Sequence, residues 1–109
     1  MHLEEKTVNS ESIYKGRIFE VTKDTALLEN GKEVLRDVVH HSGGVTVIPI
    51  TDNNEILMVR QYRYPHHKAI LEIPAGKIEP GEKHYDCGKR ELLEETGCTC
   101  TVSYTHLRA

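Results

Sequence analysis

The chain has no excess of basic residues. It carries 14 Lys and Arg against 17 Asp and Glu over 109 residues, a formal net charge of −3. A dedicated binder of nucleic acid or of an anionic membrane needs a basic face to neutralise phosphates, so neither partner is expected. Cysteine is scarce and odd in number, as Cys87, Cys98 and Cys100. Neither the Cys98-x-Cys100 spacing nor the seven histidines give the paired CxxC or HxxxH pattern of a zinc site. The expectation is reduced thiols in a cytoplasmic protein. No segment approaches the roughly 20 apolar residues of a membrane span, and Met1-His2-Leu3-Glu4-Glu5-Lys6 has no apolar core of signal-peptide length. Repeats, low-complexity stretches and linker-like segments are also missing. A content of 38% hydrophobic and 28% charged residues fits one small globular domain. A chain this short buries only about two-thirds of its unfolded surface, which makes a second subunit a reasonable source of stability.

What is present reads first as strands. Ser12-Ile13-Tyr14, residues 17–28 and residues 33–41 carry the apolar and β-branched residues of a β segment. Glu29-Asn30-Gly31-Lys32 lies between the last two, with Asn-Gly expected to supply the positive φ angles of a tight hairpin. After Gly43-Gly44, residues 45–50 form a short apolar strand, Thr51-Asp52-Asn53-Asn54 a turn, and residues 55–62 the returning strand of a second hairpin. Pro65-His66-His67 interrupts, residues 69–73 form another strand, and Pro74-Ala75-Gly76 ends it. The histidine pairs His40-His41 and His66-His67 read as loop residues. Residues 76–82 read as a glycine and proline loop, and residues 82–96 as a helix closed by Gly97.

On that helix, Arg90-Glu91-Leu92-Leu93-Glu94-Glu95 packs three carboxylates into five residues. At about 100° per residue, Glu95 lies roughly 40° to one side of Glu91 and Glu94 about 60° to the other, so all three share a face. Tyr85, Leu92 and Leu93 fall opposite and are expected to pack on the sheet. Like charges at i,i+4 repel, and an oxygen-seeking cation would remove that penalty. Carboxylates without histidine or thiolate beside them suit Mg²⁺ or Mn²⁺ rather than zinc. Mg²⁺ keeps several waters and bridges phosphate oxygens, so the residues point to metal-assisted chemistry on a phosphate ester or anhydride.

Gly76, five residues, Glu82, seven residues, then Arg90-Glu91-Leu92-Leu93-Glu94-Glu95-Thr96-Gly97 resembles the Nudix box at every fixed position. Cys98 departs from it, standing where the pattern prefers a larger aliphatic residue, and as a small hydrophobe it is expected to weaken packing rather than chemistry. The resemblance implies an α+β Nudix fold of mixed β-sheets with the box loop and helix, lacking its C-terminal part and preceded by a small antiparallel N-terminal β segment. On that division residues 1–41 are the N-terminal β segment and a dimerisation region. Residues 42–101 are the first part of the Nudix domain with the box at 76–98, and residues 102–109 are a non-native tail. The resemblance makes Glu91 and Glu95 the principal metal ligands, with Glu94 and the Ala75 carbonyl as additional ones. Glu82 and Arg90 support them through charge-assisted hydrogen bonds.

Outside the box, Val59-Arg60-Gln61-Tyr62-Arg63-Tyr64-Pro65 and Leu71-Glu72-Ile73-Pro74-Ala75-Gly76 resemble the ADP-sugar branch, particularly ADP-ribose pyrophosphatases. So does Arg36-Asp37-Val38-Val39-His40-His41-Ser42-Gly43-Gly44. The resemblance implies a Mg²⁺-dependent homodimer, with Mn²⁺ as an alternative metal, that cleaves the diphosphate of ADP-ribose or a related ADP-sugar. Arg63 and Arg36 are candidates for the diphosphate, because a guanidinium fork matches two phosphate oxygens. Glu72 is a candidate acceptor for a ribose hydroxyl or for an arginine. Tyr62 and Tyr64 read as core residues, with stacking on adenine as the other role open to them. Two alternatives stand beside this reading: hydrolysis of other nucleoside diphosphate derivatives, and a non-catalytic Nudix-fold nucleotide-binding module. The acidic residue that relatives carry after the box to orient water is expected beyond these residues, which on this reading leaves the 109-residue chain itself inactive.

Overall fold

The computed structural model describes residues 3–101 in two compact units, Met1–Ser42 and Gly43–Ala109. The tail assignment for residues 102–109 falls outside the described residues.

The first unit is a three-stranded antiparallel sheet in the order β1(Lys6–Lys15), β2(Phe19–Leu27), β3(Glu33–His41). Strand β1 is far longer than the expected Ser12-Ile13-Tyr14. It is exposed along its whole length, so its polar residues gave no alternation to read. It bends twice, with register shifts between Thr7 and Asn9 and between Ser12 and Tyr14. Strands β2 and β3 pair without interruption from Phe19↔His41 to Leu27↔Glu33. In the turn Gly31 takes φ 81°, whereas Asn30 contributes its side chain, whose oxygen accepts from the Lys32 amide at 3.0 Å. The turn position was therefore legible, but only one of its two residues takes a positive φ.

Because side chains alternate along a strand, Glu20, Thr22, Asp24 and Ala26 of β2 share one face. The small residues Thr22 and Ala26 are buried there. Ser10 donates to Asp24 at 2.6 Å, Ser12 donates to Glu20 at 2.8 Å, and the Thr22 hydroxyl lies 2.8 Å from His40 Nε2. His40 and His41 are thus strand residues rather than loop residues.

The second unit holds two small antiparallel sheets and one helix. Strand β4(Gly44–Thr46) pairs with β7(Ala75–Lys77), and β5(Val59–Arg63) pairs with β6(Lys68–Glu72). The expected hairpin of residues 45–50 and 55–62 survives only as a turn. Thr51 N–H donates to Glu55 at 2.8 Å, Leu57 N–H donates to Pro49 at 3.0 Å, and Ile50 bridges Ile56. Pro49 has no N–H to extend a ladder there. Residues 75–77 form a strand instead of the expected loop, because their partners lie some thirty positions away, a pairing no local pattern reveals. The Tyr64–His66 turn, with Pro65 at its start and His67 at φ 50°, joins β5 to β6, so His66 and His67 do lie in the connection.

Helix α1(His84–Thr96) begins two residues later than expected, and Gly97 closes it in the left-handed region, its N–H donating to Leu93 at 2.8 Å. Its buried residues are Cys87, Gly88 and Leu92, and it packs on β4 and β7. Tyr85 and Leu93, expected beneath it, are 45% and 51% exposed. Gly88 faces Val45 and Val47 across this contact. Cys98 is exposed too, so the packing loss expected from it does not arise. Among the described residues no helix is long and apolar enough to cross a membrane.

A methyl group on Gly88 would meet Val45 Cγ1 at 3.4 Å and Val47 Cγ2 at 3.5 Å, ordinary contact distances. Alanine also gains about 1 kcal/mol over glycine inside a helix. Gly88→Ala is therefore expected to raise the unfolding free energy by about 0.5–1 kcal/mol. Denaturant unfolding is the check, and a loss of stability would show that the helix and sheet touch more tightly than these distances imply.

Candidate metal and phosphate centre

The loop before α1 and the helix itself are tied together by Arg90. Its Nε donates to Glu82 Oε2 and its Nη2 to Glu82 Oε1, both at 2.8 Å, a two-pronged pair with well-matched geometry. Nη2 also reaches the Lys77 carbonyl at 3.1 Å. Nη1 donates to Glu91 at 2.8 Å and to Glu94 at 3.2 Å. Glu79 Oε1 stands 3.9 Å from the same nitrogen, and the Glu79 amide donates to Glu82 at 3.2 Å. The Arg90 side chain is three-quarters buried, and Glu82 more so. The hydrogen bonds from Arg90 are the main cause that holds the Glu82 carboxyl down to about 2, despite the opposing effect of burial. The same bonds raise Arg90 itself. Glu82 lies just before the helix with its carboxylate on Arg90, and the N-cap residue Lys83 makes no side-chain cap.

The three helix carboxylates differ in how they are held. Glu91 is mostly buried, donated to by Arg90, and its carboxylate lies against Gly76 so closely that a Cβ there would overlap it. Glu95 accepts from Gln61 Nε2 and from the Ala75 amide, each at 3.2 Å. Glu94 is 57% exposed and accepts from the Arg90 guanidinium. Ala75 and Gly76 reach the centre because β7 carries them alongside β4. Among the described residues no three carboxylate, imidazole or thiolate groups are gathered as a ready ion cage. The donors that do line the cradle over Gly76 are carboxylates, which fit a hard divalent cation.

The other expected residues lie elsewhere. Arg63 donates from Nε at 2.8 Å and from Nη2 at 2.7 Å to Glu72, which raises Arg63 and lowers Glu72. Arg63 is cross-strand from Lys68 and Glu72 from Val59, so this bond runs along the length of the β5–β6 hairpin. Arg36 belongs to the first unit and is paired with Glu5 at 2.8 Å. Tyr62 and Tyr64, read as core, are 63% and 75% exposed. Sequence reasoning passed over Gln61, Glu79, the Lys77 carbonyl and Cys87. Cys87 is buried beside Arg90, its thiol pushed up chiefly by burial. Gln61 did leave a signal, as a polar residue on the half-buried side of β5, two positions from Val59 and from Arg63.

A Nudix domain family model matches residues 40–108. The chain is 50% identical over 97 residues to the methanol dehydrogenase activator of Bacillus methanolicus, spanning 89% of this chain and 52% of that protein. It is 45% identical to the ADP-ribose pyrophosphatase of Bacillus subtilis over the same shares, and 38% identical to that of Mycobacterium tuberculosis over 84% of this chain and 45% of the other. The crystal structure of an ADP compounds hydrolase superposes with a TM-score of 0.77 at 26% identity, covering 91% of this chain and 54% of that one. The chain spans about half the length of the curated relatives it matches. The sheets and the carboxylate-bearing helix of the described residues are consistent with part of a Nudix fold. The chain belongs to the Nudix family.

Adding a methyl group at Gly76 collides with the Glu91 carboxylate. Gly76→Ala is therefore expected to displace Glu91 and to cost about 1–3 kcal/mol of stability, as overpacking does. Unfolding free energy together with a crystal structure of the variant measures both effects. An unmoved Glu91 at unchanged stability would remove the cradle from the account.

Proposed function

We propose that the protein is a Mg²⁺-dependent pyrophosphohydrolase that cleaves the diphosphate of ADP-ribose, giving AMP and ribose 5-phosphate, or of a related ADP-sugar. The observation that carries this reading is the pair Glu91 and Glu95, two carboxylates beside a glycine-floored strand, Glu91 held by Arg90 of the same helix and Glu95 by the Ala75 amide of that strand. Similarity to two ADP-ribose pyrophosphatases supports the substrate class. Glu91 and Glu95 are the principal ligands, with Glu94 and the Ala75 carbonyl completing the set. Bound Mg²⁺, or Mn²⁺, supplies charge neutralisation at the phosphate oxygens. Arg90 and Glu82 keep the ligands in place as the charge on the site changes. Arg63 can exchange Glu72 for the diphosphate, and Glu72 can then accept from a ribose hydroxyl. Arg36 is a second candidate for the diphosphate. The three free thiols support a cytoplasmic setting.

A second reading rests on the 50% identical relative, whose name describes an activator of a dehydrogenase. On that reading the chain acts on a partner enzyme, and turnover of ADP-ribose without any partner separates the two.

Protein expressed from its complete natural reading frame is expected to release AMP and ribose 5-phosphate from ADP-ribose with Mg²⁺, as resolved by chromatography. Glu91→Gln and Glu95→Gln are each expected to lower turnover by at least about 100-fold while leaving the fold intact. If a broad panel of nucleoside diphosphate derivatives stays uncleaved with either metal, the hydrolase reading falls.

We also propose a homodimer formed through the N-terminal β segment, in which residues 11–41 contribute to the interface. By register, the exposed residues Tyr14, Phe19, Leu35 and Val39 share one face of that sheet, and a shared apolar face is the kind of surface a second copy covers. Light scattering is expected to return twice the chain mass, and a monomer at micromolar concentration would end the idea.

A further inference from the structure

The geometry points to Gln61 as a positioning residue that fixes the orientation of the Glu95 carboxylate for a divalent cation. The inference rests on the metal site proposed above and adds to it a residue that lies outside the Nudix box, on a different element.

Strand β5 alternates, with Val59 and Gln61 half-buried and Arg60 and Tyr62 exposed. An amide side chain turned inward needs a partner for its N–H groups, because an unpaired buried donor is costly. Gln61 finds it 34 positions along the chain, donating from Nε2 to Glu95 Oε1 at 3.2 Å. The other oxygen, Oε2, accepts from the Ala75 amide at the same distance. Each oxygen of Glu95 thus receives one donor, which sets both the direction and the plane of the carboxylate.

Both donors are neutral, and that separates Glu95 from its neighbour. Glu91 is held by a guanidinium, a full positive charge that offsets its own and competes with any ion approaching it. Gln61 and the Ala75 amide orient Glu95 without cancelling its charge. Each oxygen keeps a further lone-pair direction open. Among the three helix carboxylates, Glu95 is therefore the one oriented by neutral donors, with Gln61 as the side-chain donor and no guanidinium hydrogen-bonded to it among the described residues. The tie has a second consequence. Gln61 and Arg63 are two positions apart on one side of β5, so the bond to Glu95 also anchors to the helix the hairpin face that carries the Arg63–Glu72 pair. The charge of Glu95 is felt at Arg63, as one of the smaller causes that raise the guanidinium.

The test uses Gln61→Met, which keeps length and loses the donor, and Gln61→Asn, which keeps the amide on a shorter arm. Mn²⁺ binding is read by electron paramagnetic resonance of the free ion, on protein expressed from its complete natural reading frame, beside the metal-free melting temperature. Gln61→Met is expected to weaken Mn²⁺ binding about 10- to 100-fold with the metal-free melting temperature nearly unchanged. Gln61→Asn is expected to fall between it and wild type. In the ADP-ribose assay kcat is expected to fall more than KM rises, since the ligand geometry matters most when charge develops. Should the Met variant fail to fold, the Asn variant decides alone. Wild-type Mn²⁺ affinity in a folded variant overturns the inference, even if its melting temperature drops, because that pattern is what a purely structural bond gives. Absence of Mn²⁺ binding by wild-type protein overturns the metal site itself, an outcome distinct from loss of the Gln61 role alone.

Discussion

Arg90 is the constraint on which the second unit turns. Its guanidinium is three-quarters buried and donates to Glu82, Glu91, Glu94 and the Lys77 carbonyl, drawn from the helix, the loop and the strand before it, with Glu79 as a further charge at 3.9 Å. A planar fork with five N–H donors can satisfy that many partners at once, and an ammonium could not. Without it, Glu82 and Glu91 would be left mostly buried with no compensating charge, which is more costly than never having placed them there. The loop of residues 78–83 has few other ties. Its backbone turns at Gly81, at φ 75°, and closes through Glu82 N–H to Glu79 at 3.0 Å. Arg90 therefore gives a glycine and proline segment a single arrangement.

The same residue creates an asymmetry among the helix carboxylates. Glu91 is neutralised by the guanidinium, Glu95 is oriented by amides, and Glu94 stands largely in solvent. Three identical side chains within one and a half turns thus meet three different electrostatic settings. Gly76 makes the arrangement possible by leaving room for the Glu91 carboxylate where any side chain would stand. Gly88 lies on the other side of the helix, facing Val45 and Val47 with room for a methyl group. One glycine serves the charged face of the helix and the other its apolar face.

The first unit follows a different logic. Its central strand is lined on one face by Thr22 and Ala26, small enough to disappear beneath their cross-strand neighbours, while Ser10 donates to Asp24, Ser12 donates to Glu20, and the Thr22 hydroxyl meets His40. Three strands with one apolar face are about the minimum for an independent sheet, and Phe19, Leu35 and Val39 lie exposed on the apolar face here. Arg36 is engaged with Glu5 within this unit, so whatever it does for a ligand begins by breaking that pair.

The sequence by itself determined the box: the spacing of Gly76, Glu82, Arg90, Glu91, Glu94, Glu95 and Gly97 is local, and helical periodicity alone puts the carboxylates on one face. It also determined strands β2 and β3 and the Asn30-Gly31 turn, because alternation and turn chemistry are short-range properties. It did not determine the length of β1, whose exposed residues carry no pattern, or that Leu93 and Tyr85 would stay half-exposed while Gly88 made the helix contact. Only the tertiary structure decided that residues 75–77 are a strand, since their partners are residues 44–46, and strand pairing across thirty positions leaves no local trace. It alone decided that Gln61 meets Glu95, that Arg63 meets Glu72 and that Arg36 meets Glu5, for the same physical reason: a side-chain partner is chosen by where the backbone brings it, and distance along the chain does not encode that.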